Sequence, residues 1–482
     1  MLDGEIMSFF TQIRRLFHTK RPETSMRGET GLTRCLNAID LTMLGVGAII
    51  GAGIFVLTGI AAATQAGPAV IFSYLLAGLA CGFSAFAYAE LASSVGGCGS
   101  AYGYAYASLG EFVAWIIGWD LLLEYGMDGA TVAIGWSGYV QDALHAIGIN
   151  LPKMFLADPH SGGIINLPAV LIIVTLAAVL SIGMEQSARF NKVMVFVKLT
   201  VITLFIVIGF FTFDPQNWHP FMPFGVQGIV NGAGLIFFAY IGFDAVSTAT
   251  EEAIQPQRNI PIGIIASLIV CTIIYVVFAG LLTGMMSYAD LNVTSPVALA
   301  LIHSGHKIAA EVISLGAIAG LTTVILVMLY GASRVFLAMS RDGLLPKFFA
   351  KIHPQSHTPR RLIWTLAVVT SLIAGLLPIN EVASLVNMGT LAAFVVVCLG
   401  VVVLRYTRPD MPRPFRTPGS PVVPLLGVAL CLYLMWSLPM ITWKSFGIWT
   451  LMGILIYFAY SRQNSFSGKE FMKSASNAIM QD

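Results

Sequence analysis

Charged residues are scarce in this chain. Asp, Glu, Lys and Arg together make up 10% of its 482 residues, whereas an ordinary soluble protein contains about 25%. Because so few charges cannot cover the surface of a water-soluble molecule of this size, a soluble multi-domain enzyme is excluded. The formal net charge of +2 is too small to indicate a nucleic-acid partner.

The residue types that hold metals and form disulfides are also few. The eight histidines show no metal-ligand spacing, and no two cysteines form a Cys-x-x-Cys pair. We therefore expect no metal, no cofactor, no disulfide and no enzymatic activity. The six cysteines lie far apart and are expected to pack as small apolar residues: Cys35, Cys81, Cys98, Cys271, Cys398 and Cys431.

Apolar residues are abundant instead, at 57% of the chain. Apolar runs of about 20 residues, long enough to cross a hydrocarbon core of about 30 Å, recur along most of the sequence. They predict an all-α integral membrane protein with twelve transmembrane helices in a lipid bilayer. The predicted spans are 39–65, 68–94, 111–142, 164–184, 187–213, 227–254, 260–286, 308–340, 361–379, 381–405, 421–441 and 444–461.

The distribution of basic residues predicts the orientation of these spans. Of the 24 Lys and Arg residues that lie outside the spans or close to their ends, 21 lie on the side of the termini and only Lys153, Lys307 and Lys444 lie opposite. By the positive-inside rule, both termini are cytoplasmic. Residues 1–38 have no secretory-signal pattern, so we assign 1–38 and 462–482 as cytoplasmic tails.

Small and polar residues interrupt spans one and six. Span one has four glycines within residues 45–53, and Gly242 and Asp244 interrupt the apolar run of span six. Glycine inside a helix costs roughly 1 kcal/mol relative to alanine. Two broken helices five spans apart indicate two five-helix inverted repeats, here 39–213 and 227–405, followed by two further helices in 421–461.

A broken helix has free N–H groups at the start of its second half and free C=O groups at the end of its first half. The N–H groups suit a carboxylate and the carbonyls suit an ammonium, so two adjacent breaks predict a site for a zwitterion. Alternatively, the glycines only allow close helix packing, since Gly47 and Gly51 have the spacing of a G-x-x-x-G contact.

Four segments together resemble the amino acid–polyamine–organocation superfamily, and most closely its bacterial cationic amino acid transporters. The resemblance covers residues 38–462. It implies the LeuT-like five-plus-five inverted-repeat fold, amino acid transport by alternating access, and a multi-pass protein of the bacterial inner membrane. The segments are GAIIGAGIF (47–55), FFAYIGFDAVS (237–247), EEAIQPQRNIP (251–261) and SRDGLLP (340–346).

The resemblance also implies the residues of a substrate site. Phe238 is expected to close over the substrate as an aromatic lid, and Met328 either lines the side-chain pocket or is an ordinary core residue. A bulky residue at Gly53 should abolish substrate binding without unfolding the protein. The implied backbone contacts are the N–H groups of Ala52 and Gly53 for the carboxylate, and the carbonyls of Ile49, Phe238, Ala239 and Ile241 for the α-ammonium.

Two basic residues, Lys198 and Arg334, lie inside spans. Arg334 is near the charged end of its span, so we expect it to snorkel toward the interface. Lys198 in span five has no such route, and an ionisable residue there indicates a function. By the resemblance, its ammonium replaces the sodium ion of sodium-coupled relatives, holding carbonyls of span one when protonated and releasing them when neutral. The alternative is a fixed charged strut.

Span three carries Asp120, Glu124 and Asp128, which share one helical face because they are four residues apart. The first two match the family pattern. At Asp128, relatives that carry neutral amino acids have small or apolar residues. The resemblance places Glu124 and Asp128 at the substrate, where an acid at position 128 suits an ammonium or a guanidinium. Alternatively, Asp128 pairs with a protein cation or is protonated.

Three acids follow the break in span six. Asp244 is expected to cap the second half-helix, where an acid favours the helix N-terminus. Glu251 and Glu252 are expected to be solvated ends or inner-gate ion pairs.

These patterns predict a secondary transporter of cationic amino acids, arginine first and lysine or ornithine next, by proton symport or exchange. The nearest alternative is a carrier of small neutral amino acids such as alanine. A membrane sensor would normally add a soluble signalling domain, and a membrane enzyme would need catalytic or metal clusters; the sequence indicates neither. The expected partners are the amino acid and protons, and a small accessory membrane peptide is left open.

Overall fold

The structure of the chain is a computed structural model. Most of the predicted cytoplasmic tails, including residues 1–14, 21–31 and 470–482, falls outside the part that it describes. The described residues are 15–20, 32–146, 148–149, 151–159, 162–293, 295–377, 379–436, 438–466 and 468–469.

Within these ranges the chain is helical, without a β-strand, and each predicted span corresponds to a helix or to a broken helix. The agreement follows from the apolar runs, which favour helices because a helix pairs its own backbone groups in lipid. Helices of eight residues or more are α1 Ala38–Ile49, α2 Val70–Ser94, α3 Ala101–Ser108, α4 Glu111–Ala146, α5 Leu167–Ile182, α6 Met184–Thr212, α7 Gly225–Ile236, α8 Pro256–Met285, α9 Pro296–His303, α10 Lys307–Arg341, α11 Arg360–Leu376, α12 Ile379–Thr407, α13 Val422–Trp436 and α14 Met440–Ile456.

Seven helical stretches in the described ranges are long and apolar enough to cross a membrane. Three shorter apolar helices, α1, α5 and α13, also lie in predicted spans. That all twelve segments cross the bilayer stays a prediction. The seven stretches are Gly53–Ser94, Met184–Thr212, Gly225–Thr248, Pro256–Met285, Lys307–Arg341, Leu385–Thr407 and Met440–Asn464.

The predicted interruptions of spans one and six are both breaks in the structure. Helix α1 begins at a capping box formed by Asn37 and Asp40 and ends at Ile49, and the chain continues as a π-helix from Gly53. Helix α7 ends at Ile236 and is followed by the 3-10 turn Phe237–Tyr240. Gly242 then has φ +113°, a conformation that residues with a side chain rarely adopt.

The helix-packing pattern supports the inverted repeat. Helix α2 packs against α8, and α4 packs against α10. Helix α1 packs against α8 as α7 packs against α2, and α6 packs against α10 as α12 packs against α4. Exchanging each predicted span with the span five positions later maps these pairs onto one another. The repeat itself stays a prediction.

The two ends of the described chain lie at the same end of the helix bundle. The Lys20 ammonium lies 2.5 Å from the Asp342 carboxylate at the end of α10. The Phe466 N–H, beyond α14, donates to the Asp342 carbonyl at 3.0 Å. Such a shared location of the ends accords with an even number of spans.

Candidate functional site

The two helix breaks touch each other at Gly53 and Ala239. A Cβ added to Gly53 would lie 2.3 Å from the Cβ and 2.5 Å from the Cα of Ala239. Glycine is therefore required for this approach. Even the first carbon of a larger residue at position 53 would push the two broken helices apart; that such a variant loses substrate binding without unfolding stays a prediction.

The predicted backbone-binding residues come together at this contact, where the π-helix Gly53–Leu57 packs on the turn Phe237–Tyr240. Ala52 and Phe238 are half-buried. The remaining members, Ile49, Gly53, Ala239 and Ile241, are buried. The structure thus places all six residues at the breaks, and their contact with a substrate stays a prediction.

Tyr275 of α8 links the two breaks, which the sequence reasoning missed. Its hydroxyl lies 2.7 Å from the Ile49 carbonyl and 2.8 Å from the Ala239 carbonyl. A hydroxyl has one proton, so it donates to one carbonyl at a time, and each oxygen keeps a position for a second donor. The sequence feature that could have identified Tyr275 was a tyrosine within a long apolar run, because a buried tyrosine hydroxyl usually has a hydrogen-bond partner.

We expect Tyr275→Phe to lower the free energy of unfolding by about 1–3 kcal/mol, because two buried carbonyls at the helix breaks lose the one donor that they share. Tyr240→Phe is the matched control, since the Tyr240 hydroxyl donates at 2.9 Å to the Tyr74 carbonyl inside α2, where the helix supplies another donor. Thermal unfolding in detergent without substrate measures both variants. Equal destabilisation would contradict a special role for Tyr275.

Lys198 of α6 lies beside the first break and is fully buried. Its ammonium donates to the Gly47 carbonyl at 3.0 Å, the Ile50 carbonyl at 2.9 Å and the Thr323 hydroxyl at 2.8 Å. Three acceptors match the three N–H donors of a protonated lysine. The ammonium therefore joins α1, α6 and α10 at the position where the resemblance expected it. The sequence reasoning did not identify Thr323.

The three acids of α4 are all buried. No described Lys, Arg or His forms an ion pair with Asp120, Glu124 or Asp128. Both carboxylate oxygens of Asp120 and of Glu124 also lack a hydrogen-bond partner in the described part of the chain. Buried carboxylates without a partner are costly. The described ranges thus contain no cation paired with Asp128, and they do not support the alternative in which a protein cation neutralises it.

Met328 of α10 lies between the second break and α4. It is fully buried. A Cβ built on Gly242 would lie 3.1 Å from the Met328 Cε. A Cβ built on Gly129, the residue after Asp128, would lie 3.7 Å from the Met328 Cβ. Met328 thus lies between the second break and α4, and whether it lines a side-chain pocket or is an ordinary core residue stays open.

The capping role expected for Asp244 was wrong. It precedes the short helix Ala245–Thr248 in helical conformation, and its side chain makes no capping hydrogen bond. Its carboxylate accepts a hydrogen bond from the Tyr125 hydroxyl of α4 instead. The cap is lost because the Asp244 backbone is already helical, whereas a capping residue is normally extended.

The expectation that Arg334 snorkels was also wrong. Arg334 is 1% exposed, and its guanidinium holds the Glu252 carboxylate through two hydrogen bonds of 3.0 and 2.8 Å. The Tyr330 hydroxyl donates to the same carboxylate at 2.5 Å. Glu251 pairs with Arg341 at 2.7 Å. Of the two expectations for Glu251 and Glu252, ion pairing is therefore correct and a solvated end is wrong.

Comparison with known proteins identifies the family of the chain. The family model for amino acid permeases matches residues 36–460. The methylthioribose transporter of Bacillus subtilis (strain 168) is 50% identical over 94% of this chain and 99% of its own length. The branched-chain amino acid permease BcaP of the same organism is 48% identical over 91% of this chain and 95% of its own. Human cationic amino acid transporter 4 is 35% identical over 81% of this chain and 62% of its own. The resemblance is thus confirmed: the chain is a transport protein that belongs to the amino acid permease family of the amino acid–polyamine–organocation superfamily.

Proposed function

We propose that this chain is a secondary active transporter that moves an amino acid across the bacterial inner membrane by alternating access. The observation that carries the proposal is the contact of two helix breaks at Gly53 and Ala239. Free N–H and C=O groups at adjacent breaks can hold the carboxylate and the ammonium of one amino acid. Uptake of labelled amino acids into proteoliposomes tests the proposal.

We infer that protons drive or accompany this transport through Lys198. The ammonium occupies carbonyls of the broken helix that a bound cation would otherwise occupy, and it can leave them only by losing its proton or by moving with α6. Proton symport and exchange of amino acids are both compatible with this arrangement. The position of the 21 basic residues on the terminal side supports twelve spans with both termini in the cytoplasm.

The cargo we propose is a cationic amino acid, with arginine first and lysine or ornithine next. Asp128 supports this cargo because it is buried and unpaired within the described part of the chain. A substrate ammonium or guanidinium next to Asp128 would supply the missing partner. The relatives include cationic amino acid transporters of plants and animals.

A neutral amino acid is the second candidate cargo. Two relatives that share about half of their residues with this chain are named for methylthioribose and for branched-chain amino acids, neither of which carries a cationic side chain. Met328 also favours a neutral substrate, because a buried thioether offers an apolar wall to the side chain. With a neutral cargo, Asp128 would be protonated in the occupied site.

We expect Asp128→Asn to distinguish the two cargoes. If the carboxylate binds a cationic side chain, the variant should lose a charge-assisted hydrogen bond worth roughly 1.5–3 kcal/mol, or about a tenfold to hundredfold loss in arginine affinity. Binding of small neutral amino acids should stay unchanged or improve. Competition of all twenty amino acids against labelled arginine in proteoliposomes measures both effects.

Glu124→Gln is the control for this experiment, one helical turn from Asp128. A loss of arginine affinity in Glu124→Gln alone would place recognition at Glu124. Unchanged arginine binding in Asp128→Asn would reject the cationic cargo and leave the neutral amino acid as the better assignment.

A further inference from the structure

A cavity of about 450 Å³ opens near the cytoplasmic end that we assign to the bundle, outside the predicted substrate site. It lies between the end of α2, the loop that follows it, the segment after the second broken helix and the residues before α1. None of the predicted substrate-binding residues lines it. The residues that matter for its chemistry are Arg34, Gly96, Gly97, Glu251 and Arg258.

The cavity has two positive charges that have no ion-pair partner among the described residues. Arg34 and Arg258 are exposed, and neither forms an ion pair with another described residue. The one acid in the wall, Glu251, is already neutralised by Arg341 at 2.7 Å and also accepts the Cys98 N–H at 3.3 Å. The cavity therefore suits an anion.

Part of the wall is bare backbone. Gly96 and Gly97 both have positive φ, at 71° and 82°, where residues with a side chain are strained. Two adjacent glycines leave the peptide groups uncovered, so a ligand can approach them closely. A compact, strongly charged group such as a phosphate would fit between this backbone and the two arginines.

An exposed apolar stripe leads away from the cavity along α8. Ile262, Ile269 and Ile273 are 41%, 53% and 60% exposed, and their spacing places them on the helical face of Arg258. In a bilayer this face contacts acyl chains. A basic pocket that continues into a lipid-facing stripe is typical of a site for a phospholipid headgroup.

We propose that this cavity binds the phosphate of an anionic phospholipid, with the acyl chains of the lipid along the exposed face of α8. The lipid would join the loop at residues 96–97 to the ends of both broken helices. Those ends are already tied together, because the Cys35 and Leu36 N–H groups donate to the Glu252 carbonyl at 2.9 and 3.0 Å and the Ile254 N–H donates to the Leu36 carbonyl at 2.7 Å. A bound lipid should therefore stabilise the packing of these two ends against each other.

Thermal unfolding of the purified, delipidated full chain tests this site without any transport measurement. The probes are dioctanoyl phosphatidylglycerol, dioctanoyl phosphatidylcholine and glycerol 3-phosphate, each titrated into the detergent-solubilised protein. The variants are Arg34→Gln, Arg258→Gln and the double variant. Arg189→Gln is the matched control, because Arg189 is an exposed arginine on the same predicted side that pairs only locally, with Glu185 at 3.1 Å.

Phosphatidylglycerol should stabilise the native chain at lower concentrations than phosphatidylcholine. Each basic residue near an anionic lipid contributes a similar amount of binding free energy. Without both arginines, the double variant should therefore need about thirtyfold more phosphatidylglycerol for half of the stabilisation. Arg189→Gln should match the native chain. Equal responses to both lipids, or an unchanged response in the double variant, would overturn the proposal. If glycerol 3-phosphate stabilised the chain as much as phosphatidylglycerol does, the ligand would be a soluble phosphate, and the lipid assignment would be overturned. All these outcomes are independent of whether the chain transports amino acids.

Discussion

Lys198→Ala is expected to abolish uptake driven by an inward proton gradient, with a loss on the order of 100-fold. The ammonium makes three hydrogen bonds, to Gly47, Ile50 and Thr323, and the loss of even one bond to a charged group removes roughly 1.5–3 kcal/mol. A loss of about 3 kcal/mol corresponds to a decrease of about 100-fold in the uptake rate. Alanine also has no group that can exchange a proton. Initial rates in proteoliposomes, with a proton gradient and without sodium, measure the effect.

Lys307→Ala is the control for this variant, because Lys307 is an exposed lysine at the start of α10, and it should transport at the native rate. Substrate binding by Lys198→Ala, measured by ligand-induced thermal stabilisation, separates lost coupling from a collapsed site. Native uptake that follows a sodium gradient at constant pH would contradict the role of Lys198, as would proton-driven uptake by Lys198→Ala.

Arg334→Met is expected to destabilise the protein by about 3–5 kcal/mol, because it leaves the Glu252 carboxylate buried without its cation. Glu252 and Arg334 are each 1% exposed at the side chain, and their bidentate contact joins the end of the second broken helix to α10. Thermal unfolding of the detergent-solubilised protein measures the loss. The same variant should let the second broken helix separate from α10 more readily, because this link between the two helices is gone.

The double variant Arg334→Met/Glu252→Met should recover most of that stability, because a buried ion pair replaced by apolar residues of similar volume is often neutral or stabilising. The exposed pair Arg189–Glu185 is the control, and Arg189→Ala should change stability by only about 0.5 kcal/mol or less. A double variant as unstable as Arg334→Met alone would show that packing around these side chains, and not the charge of Glu252, limits stability.

The sequence alone was sufficient to predict the long apolar helices and the two breaks, but not the short helices α3 and α9. Each apolar run must pair its own backbone groups in lipid, so a helix is determined within the segment itself. The interruptions at residues 45–53 and at Gly242 follow from the residues at those positions. The prediction that Lys198 is functional also follows from the sequence, because this residue has no polar route out of its span. These predictions need no knowledge of which helices are neighbours.

The partners of the buried groups were decided by the tertiary structure. Arg334 lies near a helix end, so its sequence position allows snorkelling as well as a buried ion pair. Only the packing of α10 brings it to Glu252. The Tyr275 hydroxyl reaches Ile49 and Ala239, which are 226 and 36 residues away along the chain. The physical reason is that hydropathy responds to the contact of a single segment with lipid, whereas a buried polar group is stabilised by whichever atoms the assembled bundle places within about 3 Å of it.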